Sequence, residues 1–130
     1  MSKGNIFHFP DFVFHDGAHG DKLMVVLNEP QENEPYLMCK TTSQTRYRIT
    51  SEGCRSDLSL FVTSRKPLDV KTWILFGSSA VYEFSQNDIN EKLLSCEIRK
   101  IGCFEISVIN SIVNCFKRSD DISKYHLQLL

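Results

Sequence analysis

The chain contains 130 residues, a length typical of a single domain. Apolar residues make up 42% of it and charged residues 24%, proportions that fit a soluble globular protein and exclude a disordered or fibrous one. The net charge of −1 excludes a protein that coats nucleic acid through bulk charge, so contact with RNA or DNA would need a local basic patch. We therefore expect one globular domain that spans residues 1–130.

The N-terminal segment, Met1 to Pro10, has one lysine and no long apolar run, so it is not predicted to be a signal peptide. No stretch of the chain approaches the roughly 18 consecutive apolar residues of a membrane-spanning helix. The protein is therefore expected to be cytoplasmic, without a membrane partner.

The cysteines are five in number, and no two of them are separated by only two residues. A zinc site needs paired ligands at such short spacing, so no metal is predicted, and no other cofactor is expected. All five are predicted to be reduced thiols in a reducing compartment. Strand or helix positions predict that three of them are small buried hydrophobic residues: Cys39, Cys103 and Cys115.

The first two thirds of the chain are predicted to form β-strands. Continuous or alternating apolar runs predict them at 12–14, 22–27, 36–42, 58–62, 73–76 and 81–84. Residues 46–50 could extend a hairpin after the third strand. Polar segments rich in Gly, Pro, Asn or Asp separate the strands and are predicted to be loops.

A helix is predicted next, over residues 86–94. Ser85 is placed to cap it, and Asp88 three residues later completes an approximate capping box. A short strand is predicted at 97–100.

The C-terminal part places apolar side chains three or four residues apart over 104–116, which predicts an amphipathic helix packed on the sheet. These side chains are Ile106, Ile109, Ile112, Val113 and Phe116. Ser119 or Asp120 is predicted to cap a final short helix. The whole pattern indicates a mainly β fold with C-terminal helices, a small twisted barrel with its helices on one side.

The run from Lys40 to Arg48 is the most unusual segment of the sequence. It combines basic side chains with hydroxyl groups, which are the usual contacts of phosphates, and its Tyr47 could stack on a base. The alternative interpretation is a polar hairpin whose threonines favour a strand and whose charges are solvated.

Two histidines, His15 and His19, lie in the first glycine-containing loop and are flanked by Asp16 and Asp21. Histidine is the side chain best suited to proton transfer near neutral pH, so each is a candidate general acid or base, or a phosphate contact. A solvent-exposed loop histidine is the alternative. His8 and His126 lie near the termini and are assigned no role.

The order of several motifs resembles that of MazF/PemK-type toxins. The front motifs are residues 21–28 (DKLMVVLN) and 39–44 (CKTTSQ). Further on, residues 71–75 (KTWIL), 81–84 (VYEF) and 114–123 (NCFKRSDDIS) are similar to a divergent branch of that family. The resemblance covers most of residues 10–125.

This resemblance implies an SH3-like barrel of the MazF/CcdB group that forms a homodimer. It also implies the toxin of a type II toxin–antitoxin pair, with an antitoxin protein and single-stranded RNA as partners. The better-known members are endoribonucleases that cleave RNA without a metal and leave a 2′,3′-cyclic phosphate. The alternative is a non-catalytic binding protein on the same barrel, which would act on a protein such as gyrase or bind only antitoxin or RNA.

The family's active-site arginine falls on Lys22 and its threonine on Thr41. Lysine is a point charge where arginine offers a planar fork, so Arg46 or Arg48 would have to supply the missing guanidinium group. The catalytic residues implied by the resemblance, together with the candidate histidine, are Lys22, Thr41, Arg46 and His15. The predicted RNA contacts are Thr42, Ser43, Arg48 and Tyr47 of the basic run, together with His19 of the first loop.

Overall fold

A computed structural model describes residues 2–43, 51–77 and 79–130. These residues form eight strands, a short 3-10 turn at Ser56–Leu58 and three helices. The strands are β1 (Asn5–Val13), β2 (His19–Val26), β3 (Tyr36–Thr42), β4 (Gly53–Arg55), β5 (Leu60–Thr63), β6 (Thr72–Leu75), β7 (Val81–Phe84) and β8 (Arg99–Cys103). The helices are α1 (Gln86–Leu94), α2 (Ile106–Lys117) and α3 (Lys124–Leu129).

The strands form one antiparallel sheet in the order β4-β5-β6-β3-β2-β1-β8. Strand β3 is its centre, because its first half pairs with β7 on the edge opposite β2 and its last two residues pair with β6. Within the described residues the path ends at β4 and β8 and does not close into a barrel. The prediction of a mainly β fold with a few short helices is confirmed at this level.

The two faces of the sheet carry separate hydrophobic cores, because successive side chains of a strand point to opposite faces. The α2 core contains Val25 and Cys39 of the sheet together with the buried side of α2. The α1 core contains Met24 and Met38, which are their chain neighbours, together with Ile89 of α1. Helices therefore cover both faces, and the prediction that all helices lie on one side is wrong.

Helix α1 has the predicted bounds, and its cap is confirmed by a 3.1 Å hydrogen bond from the Asp88 amide to Ser85 Oγ. Helix α2 buries four of its five predicted apolar residues, whereas Ile106 in its first turn is 66% exposed. Helix α3 is capped by Ser123 and not by Ser119 or Asp120. No helix in the part of the chain that the structure describes is long and apolar enough to cross a membrane.

Strands β3 and β7 have the predicted bounds, whereas β1 is much longer than predicted and begins at Asn5. Pro10, which lacks an amide hydrogen, lies where the pairing of β1 with β2 shifts register between Phe9 and Phe12. The three-residue strand β4 falls in a segment predicted to be a loop. The proposed hairpin extension at 46–50 lies outside the described residues.

The cysteines differ from the prediction in two respects. Cys54 of β4 and Cys115 of α2 form a disulfide across 61 positions of the sequence, so the prediction of five reduced thiols is wrong for this pair. Cys39 is a buried free thiol, as predicted, but Cys103 is exposed on the edge strand β8. Because pairing over such a distance depends on how β4 packs on α2, it could not be read from cysteine spacing.

Candidate functional site

A cleft of about 430 Å³ opens on the α2 side of the sheet, where β2 begins and β3 ends. Its floor contains Asp21, Lys22 and Leu23 from β2 with Thr41 and Ser43 from the end of β3. Its wall comes from residues 67–70, which lie in the connection from β5 to β6, from Thr72 at the start of β6, and from Ile101 of β8. We call this site the Lys22 cleft.

The antiparallel pairing of β2 with β3 explains why these residues meet. Met24 lies opposite Lys40, so the start of β2 is adjacent to the end of β3. Residues two apart on a strand share a face, which puts Asp21 and Leu23 on the same side as Thr41. Lys22 alternates with them, but its Nζ reaches the Thr41 carbonyl oxygen, and the residue lines the cleft. The structure thus brings together three predicted site residues: Lys22, Thr41 and Ser43.

Lys22 and Thr41 are held by reciprocal contacts between the two strands. Lys22 Nζ donates a 3.2 Å hydrogen bond to the Thr41 carbonyl oxygen. Thr41 Oγ1 donates a 3.0 Å bond to the Leu23 carbonyl oxygen, and the threonine is only 4% exposed. Because its proton is committed to Leu23, the Thr41 hydroxyl braces the two strands and positions Lys22.

Ser43 is the exposed hydroxyl of the cleft floor. Thr42, between Thr41 and Ser43, lies opposite Trp73 of β6, so its side chain points to the other face of the sheet. Of the hydroxyl-rich run, Ser43 is thus the described residue best placed to contact a ligand in the cleft. Three other candidates of that run, Arg46, Tyr47 and Arg48, lie outside the described residues.

The wall of the cleft is packed tightly against the sheet. Leu68 is buried in the α2 core. A Cβ atom added to Gly102 of β8 would stand 2.6 Å from Pro67 Cγ, which is closer than side chains tolerate. Glycine at 102 therefore lets the 67–70 segment approach β8 and form one side of the cleft.

Among the described residues, the charges that line the cleft are one ammonium group and two carboxylates. Lys22 lines the cleft together with Asp21, its neighbour in the chain, and Asp69 of the wall. Apart from Thr72, the remaining wall is apolar and includes the exposed side chains of Val70 and Ile101. Of the described lining residues, Lys22 is the one that would attract a phosphate in this cleft, and the two carboxylates would repel it.

His15 lies on the opposite face of the sheet. Its ring stacks on Tyr82 with centroids 4.0 Å apart, and its amide donates a 3.2 Å hydrogen bond to the tyrosine oxygen. Tyr82 pairs with Met38 and belongs to the α1 core, whereas Thr41 points to the α2 side. Burial raises the pKa of Tyr82, which keeps its hydroxyl neutral beside His15.

His19, the other candidate histidine, stands on the rim of the sheet and does not line the Lys22 cleft. Its Nδ1 lies 3.0 Å from Asp11 Oδ1, and its side chain is 58% exposed. The structure thus brings neither predicted histidine into the cleft.

His8 was given no role from the sequence, but its Nε2 forms a hydrogen-bonding contact with Oδ1 of Asp21 on the cleft floor. It lies opposite Leu23 in the pairing of β1 with β2, so it points to the α2 side. Its side chain is 22% exposed, less than half the exposed fraction of His19. The apolar residues around it, Ile6, Phe7 and Phe9, are a signal for a strand. That signal was missed because the first strand was predicted only from residue 12.

Among the described residues, no three His, Cys, Asp or Glu side chains come close enough together to bind a metal ion. No model of a known protein family matches the chain, and comparisons with curated proteins and with solved structures find no match. The geometry of the Lys22 cleft and the resemblance of the motifs to those of MazF/PemK-type toxins are therefore the two grounds for a functional proposal.

Proposed function

We propose that this chain is the toxin of a type II toxin–antitoxin pair and cleaves single-stranded RNA without a metal. The observation that carries the proposal is the meeting of Lys22, Thr41 and Ser43 in one cleft. The resemblance to MazF/PemK-type toxins implies an active site at two of these positions, Lys22 and Thr41. The open antiparallel sheet is, in this proposal, a divergent form of the SH3-like barrel of the MazF/CcdB group.

Each of the three residues has a distinct task in the proposed reaction. Lys22 stabilises the negative charge that builds on the phosphorus-bound oxygens, which is usually the largest catalytic term. Ser43 donates a hydrogen bond from its hydroxyl group to a phosphate oxygen. Thr41 holds β2 against β3 and so fixes the position of the Lys22 ammonium group.

The partners follow from the same proposal. They are single-stranded RNA, an antitoxin protein that blocks the cleft, and a second copy of the chain. The proposed location is the cytoplasm, where RNA substrates are found. The Cys54–Cys115 disulfide weighs against that location, because structural disulfides are rare in reducing compartments.

A non-catalytic binding protein is the second candidate, and the lining of the cleft favours it. In the described part of the lining, Asp21 and Asp69 outnumber Lys22, and exposed Val70 and Ile101 offer apolar surface. Such a lining suits a basic and apolar protein segment better than a phosphate backbone. In this reading the chain would bind a protein target or an antitoxin through the same cleft.

RNA cleavage by the purified chain in the presence of EDTA tests the proposal. Wild type should produce recurrent cuts with 2′,3′-cyclic phosphate ends. Lys22→Ala should slow cleavage by about 10²- to 10³-fold, whereas Lys22→Arg should retain it because arginine also carries the positive charge. Lys117→Ala, which removes an exposed lysine of α2, is the matched control.

Expression in cells separates the two candidates. Growth arrest with recurrent RNA ends supports the nuclease, and growth arrest with intact RNA supports a protein target. Normal growth and intact RNA would contradict both toxin readings.

A further inference from the structure

We propose that His8, oriented by Asp21, is the residue that moves the proton in the Lys22 cleft. This inference rests on the proposed ribonuclease function and deepens it. His8 does not itself line the cleft, but it contacts Asp21, which does. His19 contacts Asp11 instead, and His15 stacks on Tyr82 on the opposite face of the sheet. The observation behind it is the hydrogen-bonding contact between His8 Nε2 and Asp21 Oδ1. Asp21 itself lines the cleft, immediately before Lys22 in the chain.

The contact determines which nitrogen can act as the base. When Nε2 carries the hydrogen that it donates to Asp21, Nδ1 holds the lone pair of the neutral imidazole. A carboxylate that orients a histidine in this way also stabilises the imidazolium formed after proton transfer. The arrangement therefore gives a base at Nδ1 with its ring orientation fixed from the other side.

The charged surroundings of His8 are compatible with a role in phosphate chemistry. Asp21 faces it from β2, and Arg99 of β8 lies directly opposite it in the pairing with β1. Directly paired side chains share a face, so the Arg99 guanidinium emerges on the α2 side beside His8. Lys22 and Asp69 are the charges of the adjoining cleft.

The resemblance leads us to expect a guanidinium group near Lys22, and Arg99 is a candidate to supply it. It is exposed and forms no ion pair within the described part of the chain. Of the arginines whose structure is described, it is the one placed beside the His8–Asp21 pair. We therefore assign it the supporting role of attracting the RNA phosphate toward the cleft.

The proposed step is an intramolecular transesterification. Nδ1 of His8 takes the proton of the ribose 2′-hydroxyl, and the 2′-oxygen forms a bond to phosphorus. The bond between phosphorus and the 5′-oxygen breaks, so the products are a 2′,3′-cyclic phosphate and a 5′-hydroxyl end. The leaving 5′-oxygen takes a proton from water, and the imidazolium returns its proton to the hydroxide, so that no proton is lost or gained overall.

The test compares cleavage by wild type with cleavage by His8→Gln, Asp21→Asn and His126→Gln. His126 is the matched control, because it pairs with Glu83 at 3.1 Å and is 23% exposed, close to the 22% of His8. We expect His8→Gln to slow cleavage by about 10²- to 10⁴-fold. Asp21→Asn should slow it less, and His126→Gln should leave it unchanged.

A pH profile and a rescue experiment distinguish proton transfer from a structural role. The wild-type rate should fall at acidic pH, where imidazole is protonated, and His8→Gln should lose this acidic limb. Free imidazole added to His8→Ala should restore part of the cleavage, even if that variant is less stable. Circular dichroism would report whether each variant is folded.

The outcomes separate this inference from the proposed function. Equal cleavage by wild type and folded His8→Gln would overturn the role of His8 and leave the ribonuclease standing. A rate lost in His8→Ala that imidazole does not restore would also overturn it, since it would assign His8 a structural role. A wild-type chain that cleaves no RNA would refute the ribonuclease and this inference together.

Discussion

The Cys54–Cys115 disulfide gives the most direct test of how the sheet is joined to α2. It links β4, an edge strand of only three residues, to a fully buried position of α2. Reduction with a phosphine such as TCEP would cut this link without changing the sequence. The Cys54→Ala variant would remove it permanently while leaving the buried Cys115 side chain in place.

The expected cost follows from the length of the closed loop. A cross-link across 61 positions lowers the entropy of the unfolded chain enough to stabilise the fold by about 4 kcal/mol. With an unfolding entropy of about 2.1 cal/mol/K per residue, the melting temperature of a chain of 130 residues should fall by roughly 15 °C. Differential scanning calorimetry with and without TCEP measures this shift.

Two cysteine variants serve as controls for the effect of reduction. TCEP should not change the melting temperature of Cys54→Ala, and Cys103→Ala, which removes an exposed free thiol, should melt like wild type. Alkylation of unreduced, denatured protein should label three cysteines. Five labelled cysteines, or a melting temperature that TCEP leaves unchanged, would refute the disulfide and restore the prediction of five reduced thiols.

Three further predictions concern the cleft and the opposite face of the sheet. Thr41→Val should lower the free energy of unfolding by about 1–3 kcal/mol, because it leaves the Leu23 carbonyl unsatisfied, and urea unfolding beside Thr41→Ser measures this. Gly102→Ala should destabilise by about 1–3 kcal/mol, because the new methyl group collides with Pro67, and an unchanged urea midpoint would contradict that packing. Burial raises the pKa of Tyr82, so the free energy of unfolding should fall as the pH rises above about 10, where the unfolded chain loses the phenol proton first. Tyr82→Phe should weaken that fall in urea titrations from pH 9 to 11.

The sequence predicted best where local patterns decide the structure. Strand β3 is an apolar run bounded by a proline-containing loop, and α1 begins at a serine whose side chain caps it. Both depend on interactions within a few residues. Strand β1 was largely missed because Pro10 normally argues against a strand, whereas here it occupies the irregular point of the pairing.

The site could be predicted only in part, for a related reason. Lys22 and Thr41 were singled out by their motifs, but their contact depends on the register of β2 against β3. The pairing of His8 with Asp21 depends on β1, and the wall at 67–70 depends on Gly102 of a strand far along the chain. Contacts between residues far apart in the chain cannot be predicted from local sequence patterns.

The register that forms the cleft is itself fixed by the hydrophobic core. Val25 lies opposite Cys39, and both are fully buried on the α2 side. A shift of one residue along β3 would turn Cys39 and Thr41 to the other face, and it would expose one core while crowding the other. Since Thr41 is two residues beyond Cys39, the packing that buries Cys39 also directs the Thr41 hydroxyl to Leu23 and brings the end of β3 within reach of Lys22. Any variant that loosens this part of the core should therefore separate Lys22 from the end of β3 even when every cleft residue is retained.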